Sequence, residues 1–182
     1  MLNHAQRAVV LQLARESIRN FLDTGKQLVY PTEDFFGQPA AVFVTLKKQD
    51  ELRGCIGIIE DIYSLGEAVA RCAISSAFED PRFPALNAEE FPDLEFEVSI
   101  LSEFREISNP EEVIAGTHGL HIARGLHRGL LLPQVATEHH WDRETFLRHA
   151  CMKAGLPPDA WKFPDTKIRV FTAEVFGDEE SH

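Results

Sequence analysis

The 182-residue sequence is poor in sulfur and in large polar aromatics, with three cysteines, two methionines, two tryptophans and two tyrosines. Cys55, Cys72 and Cys151 are odd in number and lack CxxC spacing, which argues against a disulfide framework or zinc ribbon and for free thiols in a reducing compartment. No run approaches the roughly 18 apolar residues of a membrane span, and Met1 to Val10 has no apolar core of signal-peptide length. A cytosolic protein with no membrane contact is therefore expected. There is no GxGxxG, P-loop or GxSxG motif, which disfavours the common nucleotide folds and the α/β-hydrolases. Neither internal repeats nor low-complexity segments occur.

Positive charge is also short: 18 Lys+Arg face 29 Asp+Glu, a net charge of −11. The deficit is local. Residues 89–112 hold Glu89, Glu90, Asp93, Glu95, Glu97, Glu103, Glu106, Glu111 and Glu112 against Arg105 alone, and Asp178, Glu179 and Glu180 supply the rest. Net acidity argues against nucleic-acid binding, for which only Arg124, His127 and Arg128 offer a local basic patch. The 89–112 stretch is instead a candidate surface for a basic partner.

What is present reads as alternating elements. Asn3 with Gln6 forms a capping-box pattern, and Val10, Leu11, Ala14, Ile18, Phe21 and Leu22 recur at helical spacing, so residues 4–22 are predicted as a helix stopped by Gly25. Residues 40–47 and 51–60 read as a hairpin turning at Lys47-Lys48-Gln49-Asp50. Ser64 with Glu67 is a second capping box, opening a helix to about Ala77 with Leu65, Ala68, Val69, Cys72 and Ala73 inward. Leu94 to Leu101 alternates as a half-buried strand, Gly119–Arg124 and Gly129–Leu132 flank a second hairpin turn, and Asp142 caps a helix that Gly155 ends. Residues 167–176 form the last strand. Hairpin-paired strands with single helices between them, and no regular βαβ spacing, give an α+β fold with antiparallel sheets and flanking helices.

Candidate chemistry centres on Leu52-Arg53-Gly54-Cys55-Ile56-Gly57. In an extended strand, Arg53, Cys55 and the vacant position at Gly57 share one face. A guanidinium beside a thiol, next to a glycine that leaves space for a ligand, lowers the thiol pKa and makes a nucleophile. The competing reading is a small core cysteine beside glycines that mark a bulge. Asp80-Pro81-Arg82-Phe83-Pro84 offers a second guanidinium on a stiff loop, for an anionic ligand or a structural ion pair. Cys72 and Cys151 lie on apolar helix stripes and read as packing residues. Eight histidines invite a metal, but His118 and His121 fall on opposite strand faces, His139 and His140 diverge, and none has a metal-site companion. Sequence selects no histidine as a partner for Cys55, and no metal is assigned.

LRGCIG at 52–57, DPRFP at 80–84, EVSIL at 97–101, HGLHI at 118–122, RGLLLPQVA at 128–136, WD at 141–142, FL at 146–147 and KAGL at 153–156 resemble the AMMECR-type domain family, whose prokaryotic members are called AmmeMemoRadiSam system protein A. The similarity runs from about Ala5 to Phe176. It implies a single AMMECR-type domain over 1–182 with two unequal lobes, the larger from both chain ends and the smaller inserted. It also implies a modification pathway shared with a Memo-like protein and a radical SAM protein; no cofactor is assigned. The family motif places Arg53, Gly54, Cys55 and Gly57 at its centre, Asp80, Arg82 and Phe83 in a second block, and Gln134 and Trp141 in a third and fourth. His121 and His127 fall outside it. Two functions are then expected: a component that holds a small anionic substrate with Arg53, Gly54, Gly57, Asp80, Arg82 and Gln134 around a nucleophilic Cys55, or a non-catalytic adaptor for those partners.

Overall fold

A computed structural model describes residues 1–178; Glu179 and Glu180 of the acidic tail lie outside the described residues. The described residues divide into two compact units, one built from 1–101 and 174–178, the other from 102–173. Each has a four-stranded antiparallel sheet, so the α+β expectation is met.

In the first unit, helix α1 (His4–Thr24) starts from a reciprocal Asn3–Gln6 capping box and ends at Gly25, whose φ of 68° is left-handed. Strands β1 (Ala41–Lys48) and β2 (Glu51–Ile58) are joined by Gln49 and Asp50, both at positive φ. That conformation belongs to a two-residue hairpin turn, although neither residue is glycine. Helix α2 (Leu65–Phe78) follows, with Ser64 Oγ accepting from Glu67 N–H at 3.4 Å. The Glu67 carboxylate does not complete a second capping box; it takes the Arg71 guanidinium one turn on. Strands β3 (Leu94–Leu101) and β8 (Ala173–Gly177) complete a sheet ordered β2-β1-β3-β8. Val42, Val44, Leu46, Phe96, Val98 and Phe176 form its core face and pack with Val10, Ala14 and Ile18 of α1 and Ala68, Val69 and Cys72 of α2. Full burial of each large side chain contributes roughly 1.5–3 kcal/mol.

The second unit orders β4 (Arg105–Ile107), β7 (Lys167–Phe171), β5 (Gly119–Arg124) and β6 (His127–Leu131) into its own sheet. Helix α4 (Arg143–Lys153), capped by Asp142, buries Phe146, Leu147, Ala150 and Cys151 against Leu120, Ile122, Ile168 and Val170. The short helix α3 (Pro133–Glu138) precedes it.

One strand expectation is corrected. Residues 167–176 are not one strand: the chain breaks at exposed Thr172, so β7 joins one sheet and β8 the other. Thr172 N–H donates to Ser102 Oγ and its carbonyl accepts from Ser102 N–H, each at 2.8 Å, so these backbone groups leave the ladder for a local pair. Val170 and Phe171 are adjacent and both buried, so the alternation of β7 ends just before the break.

The β2–α2 contact is tight enough to specify its residues. A Cβ at Gly54 would lie 2.0 Å from the Ser76 carbonyl oxygen, a rigid backbone atom. Gly54→Ala is expected to cost upwards of about 2 kcal/mol through forced separation of strand and helix. Urea unfolding checks this; an unchanged midpoint would refute the close-packing account.

Candidate functional site

The six residues of the LRGCIG segment lie on β2, the edge strand of the first sheet. Register along β1–β2 pairs Thr45 with Cys55 and Leu46 with Gly54, then slips to Lys47 with Leu52, which leaves Arg53 as an extra, bulged residue. Beside the bulge, the Ser76 hydroxyl of α2 enters the ladder. It accepts from Ile56 N–H at 2.8 Å and donates to Val44 C=O at 2.7 Å.

The bulge overturns the simple alternation at Arg53. Its side chain turns into the structure, with Nε and NH2 donating to both carboxylate oxygens of Glu90 at 3.0 and 3.1 Å and NH2 also to Pro84 C=O at 3.0 Å. The residue is only 8% exposed, and NH1 is buried without a hydrogen-bond partner. Glu90 is held below the usual carboxylate range, first by the Arg53 hydrogen bonds.

Asp80 and Arg82 do on the outer edge of β2 what a further strand would do. Asp80 Oδ2 accepts Cys55 N–H at 3.0 Å, and Arg82 NH2 donates to Cys55 C=O at 3.4 Å. The two side chains are themselves paired, with Arg82 Nε on Oδ1 at 3.0 Å and NH2 on Oδ2 at 2.7 Å. Asp80 is buried, while the Arg82 side chain is 53% exposed. Arg82 hydrogen bonds, more than any other cause, drive the Asp80 carboxyl far below its ordinary value.

The Cys55 thiol is half-buried, with Sγ 3.2 Å from Thr45 Oγ1. Burial pushes its pKa up; the Thr45 contact and the positive charge of Arg82 oppose this, and Asp80 and Glu97 add to it. The expected thiolate stabilisation by Arg53 is thus not realised. The net direction is toward a neutral thiol, and the guanidinium whose charge bears on it is Arg82. Cys72, deeper in the core, is pushed up to about 12 by burial.

Other expectations resolve residue by residue. The space at Gly57 is filled: a Cβ there would lie 2.4 Å from the Phe43 ring. Arg53, Cys55, Asp80 and Arg82 come together, whereas Gln134 sits on α3 of the second unit, its Oε1 buried and unpartnered. The two guanidiniums expected to hold an anion are each already taken by a carboxylate, Arg53 by Glu90 and Arg82 by Asp80. Among the described residues, no group of three or more His, Cys, Asp or Glu is placed to hold a metal ion. His118 Nδ1 accepts from Ile114 N–H, and Trp141 is stacked between His139 and His149.

Sequence reasoning missed Thr45, Ser76 and Glu90. For Glu90 a signal existed: Asn87 Oδ1 accepts Glu90 N–H at 3.0 Å and Glu90 Oε2 accepts Asn87 N–H at 3.3 Å, the reciprocal pattern of an N-x-x-E box. Thr45 and Ser76 carry none, because each is placed by register or by packing.

Among known proteins, the family model described as AMMECR1 matches residues 11–176. Protein MK0488 of Methanopyrus kandleri is 46% identical over 94% of this chain and 87% of its own length. Protein PH0010 of Pyrococcus horikoshii is 44% identical over 93% and 88%. The crystal structure titled as uncharacterized protein PH0010 superposes with a TM-score of 0.90 at 43% identity, covering 94% of this chain and 90% of that one.

Two outcomes are expected from this geometry. A folded carboxyl with depressed pKa stabilises the fold above its unfolded pKa, and that contribution disappears as pH falls through the folded value. Acid unfolding should therefore steepen below about pH 4, the ordinary carboxylate range, and continue to the lowest accessible pH. Asp80→Asn should reduce stability at pH 7 and flatten this acid limb; an unchanged acid profile would contradict the clamp. Separately, peptide-mapped alkylation of Cys55 at pH 7 should be slower than for a free cysteine and still be rising above about pH 9, later than an ordinary thiol near 8.5. Labelling at pH 7 faster than free cysteine would overturn the neutral-thiol account.

Proposed function

This chain belongs to the AMMECR1 family, and on that footing we propose that it binds a small anionic ligand at the Arg53–Cys55–Arg82 corner of its first unit, as a cytoplasmic component of a modification pathway shared with Memo-like and radical SAM proteins. The observation that carries the reading is Arg53 NH1. A guanidinium more than nine-tenths buried spends its other donors on Glu90 and Pro84 and keeps NH1 without a partner. A buried donor left unmade costs about 1–3 kcal/mol, more when charged, and a ligand oxygen removes that cost. Arg82 adds an exposed cation, and both guanidiniums lie against Phe83, 5.9 and 5.5 Å from its ring centroid. Cys55 then serves as a neutral thiol in contact with ligand, with nucleophilic attack requiring the ligand itself to draw off its proton.

The adaptor reading is favoured by a different observation: the hydrogen bonds of the Arg53 side chain and of the Cys55 backbone tie β2 to the segment that follows α2, and Arg53 and Arg82 each face a carboxylate there. Isothermal titration with inorganic phosphate and small carboxylates separates the two. Saturable binding that Arg82→Ala weakens by about tenfold supports the ligand reading. No binding by the wild type, together with a stable complex with a Memo-like partner that survives Cys55→Ser and Arg82→Ala, would replace it with the adaptor.

A further inference from the structure

The second sheet carries a concentration of positive charge that the corner at Cys55 does not use. Strand alternation sends Leu120, Ile122, Ile168 and Val170 into the core, so His121 and Ala123 of β5, Arg128 and Leu130 of β6, and Lys167 and Arg169 of β7 project from the opposite face. Register arranges them in two cross-strand rows, Leu130–His121–Arg169 and Arg128–Ala123–Lys167. Arg128 and Lys167 thus flank a single methyl group from both sides, and Arg169 stands one repeat along β7 from Lys167, roughly 6.6 Å away.

These cations differ from others of the same unit. Arg105, Arg124 and Arg148 each hold a carboxylate, from Glu112, Asp165 and Asp159. Among the described residues none pairs with Arg128, Lys167 or Arg169; Glu106, in register with Arg169 on β4, forms no ion pair with it. Arg124, one of the residues that suggested a basic patch in sequence, is neutralised by Asp165 and is not part of this group.

A second observation points the same way. His121 is 4% exposed, and its Nδ1 is buried with no hydrogen-bond partner. Its ring stacks on Phe104, which stacks in turn on Phe171. Burial first, then the charges of Arg169 and Arg128, depress its pKa, so a neutral imidazole with an unspent nitrogen borders the three cations.

We propose that this face binds the phosphate group of a small phosphorylated molecule, held by Arg128, Lys167 and Arg169 over Ala123, with His121 at its edge. Three cations without a salt bridge, against the single carboxylate of Glu106 across from Arg169, suit a dianion better than a single carboxylate. The patch is about two strand spacings wide, roughly 10 Å, and belongs to a chain of net charge −11, which repels a long polyanion. The site stands independently of the ligand reading at Arg82.

The test is a titration of the full chain with inorganic phosphate, followed by amide NMR against sodium chloride at matched ionic strength. Saturable shifts at residues 121, 123, 128, 167 and 169, an upward move of the His121 titration and weaker binding of acetate are expected. Arg128→Ala with Lys167→Ala should weaken binding at least about tenfold, whereas Arg128→Lys with Lys167→Arg, which preserves charge, should stay within about threefold. Shifts that chloride reproduces would overturn the site. So would phosphate shifts confined to the Arg82 and Cys55 amides, which leave the first reading standing. Shifts at the second sheet with none at Arg82 support this site and restrict the other to carboxylates. An oligonucleotide that perturbs these residues where phosphate does not would overturn the small-ligand assignment in favour of a polyanion surface.

Discussion

An edge strand has to place half of its backbone donors and acceptors somewhere, and the way β2 does so organises the first unit. At Gly54 the strand presses directly on the last turn of α2, so no side chain fits between them. That proximity brings the Ser76 hydroxyl between Ile56 N–H and Val44 C=O, and it lets the chain leaving α2 return along the open edge. There, Asp80 and Arg82 supply one acceptor and one donor to Cys55, a side-chain substitute for a neighbouring strand that also blocks edge-to-edge pairing. The bulge at Arg53 completes the arrangement by sending its guanidinium to Glu90 and Pro84.

Charge follows the same logic. The acidic run from 89 to 112 is not one exposed face. Glu90 is committed to Arg53 and Lys48, Glu97 to Lys47, and Glu112 to Arg105. Several of its charges are therefore internal partners of cations that sequence alone left unassigned. Conversely, cations without a salt bridge gather on the second sheet, in residues far apart in the chain that register makes neighbours.

Elements with local signatures were legible. Asn3 with Gln6, Gly25, Asp142 and Gly155 mark helix ends by side-chain hydrogen bonding and left-handed backbone, effects contained within a few residues. The α+β class followed from hairpin spacing. Three kinds of feature were not legible. The short elements β4 and α3 are too brief for periodicity to register. The break at Thr172 falls inside one continuous β-rich run, with no glycine or proline to mark it. The bulge at Arg53 depends on how β1 and β2 align, a non-local property; the Arg53 guanidinium there is held by Glu90 and Pro84, and the cation whose charge bears on the thiol is Arg82. Asp80 and Arg82 were recognisable as a charged pair on a stiff loop, but their role as a surrogate strand required the edge of β2 to be known.

Ser102 and Thr172 exchange two hydrogen bonds, so the ends of the 102–173 unit are fastened side by side. In the first sheet, β3 ends at Leu101 next to β8, which begins at Ala173. Topologically the second unit is the loop of a β3–β8 hairpin, grown until it folds around its own core. Loop-closure entropy rises only logarithmically with length, and an insert with adjoined ends adds even less. The 102–172 segment therefore enters and leaves the host sheet at a single point, and its length places little entropic demand on the pairing of β3 with β8.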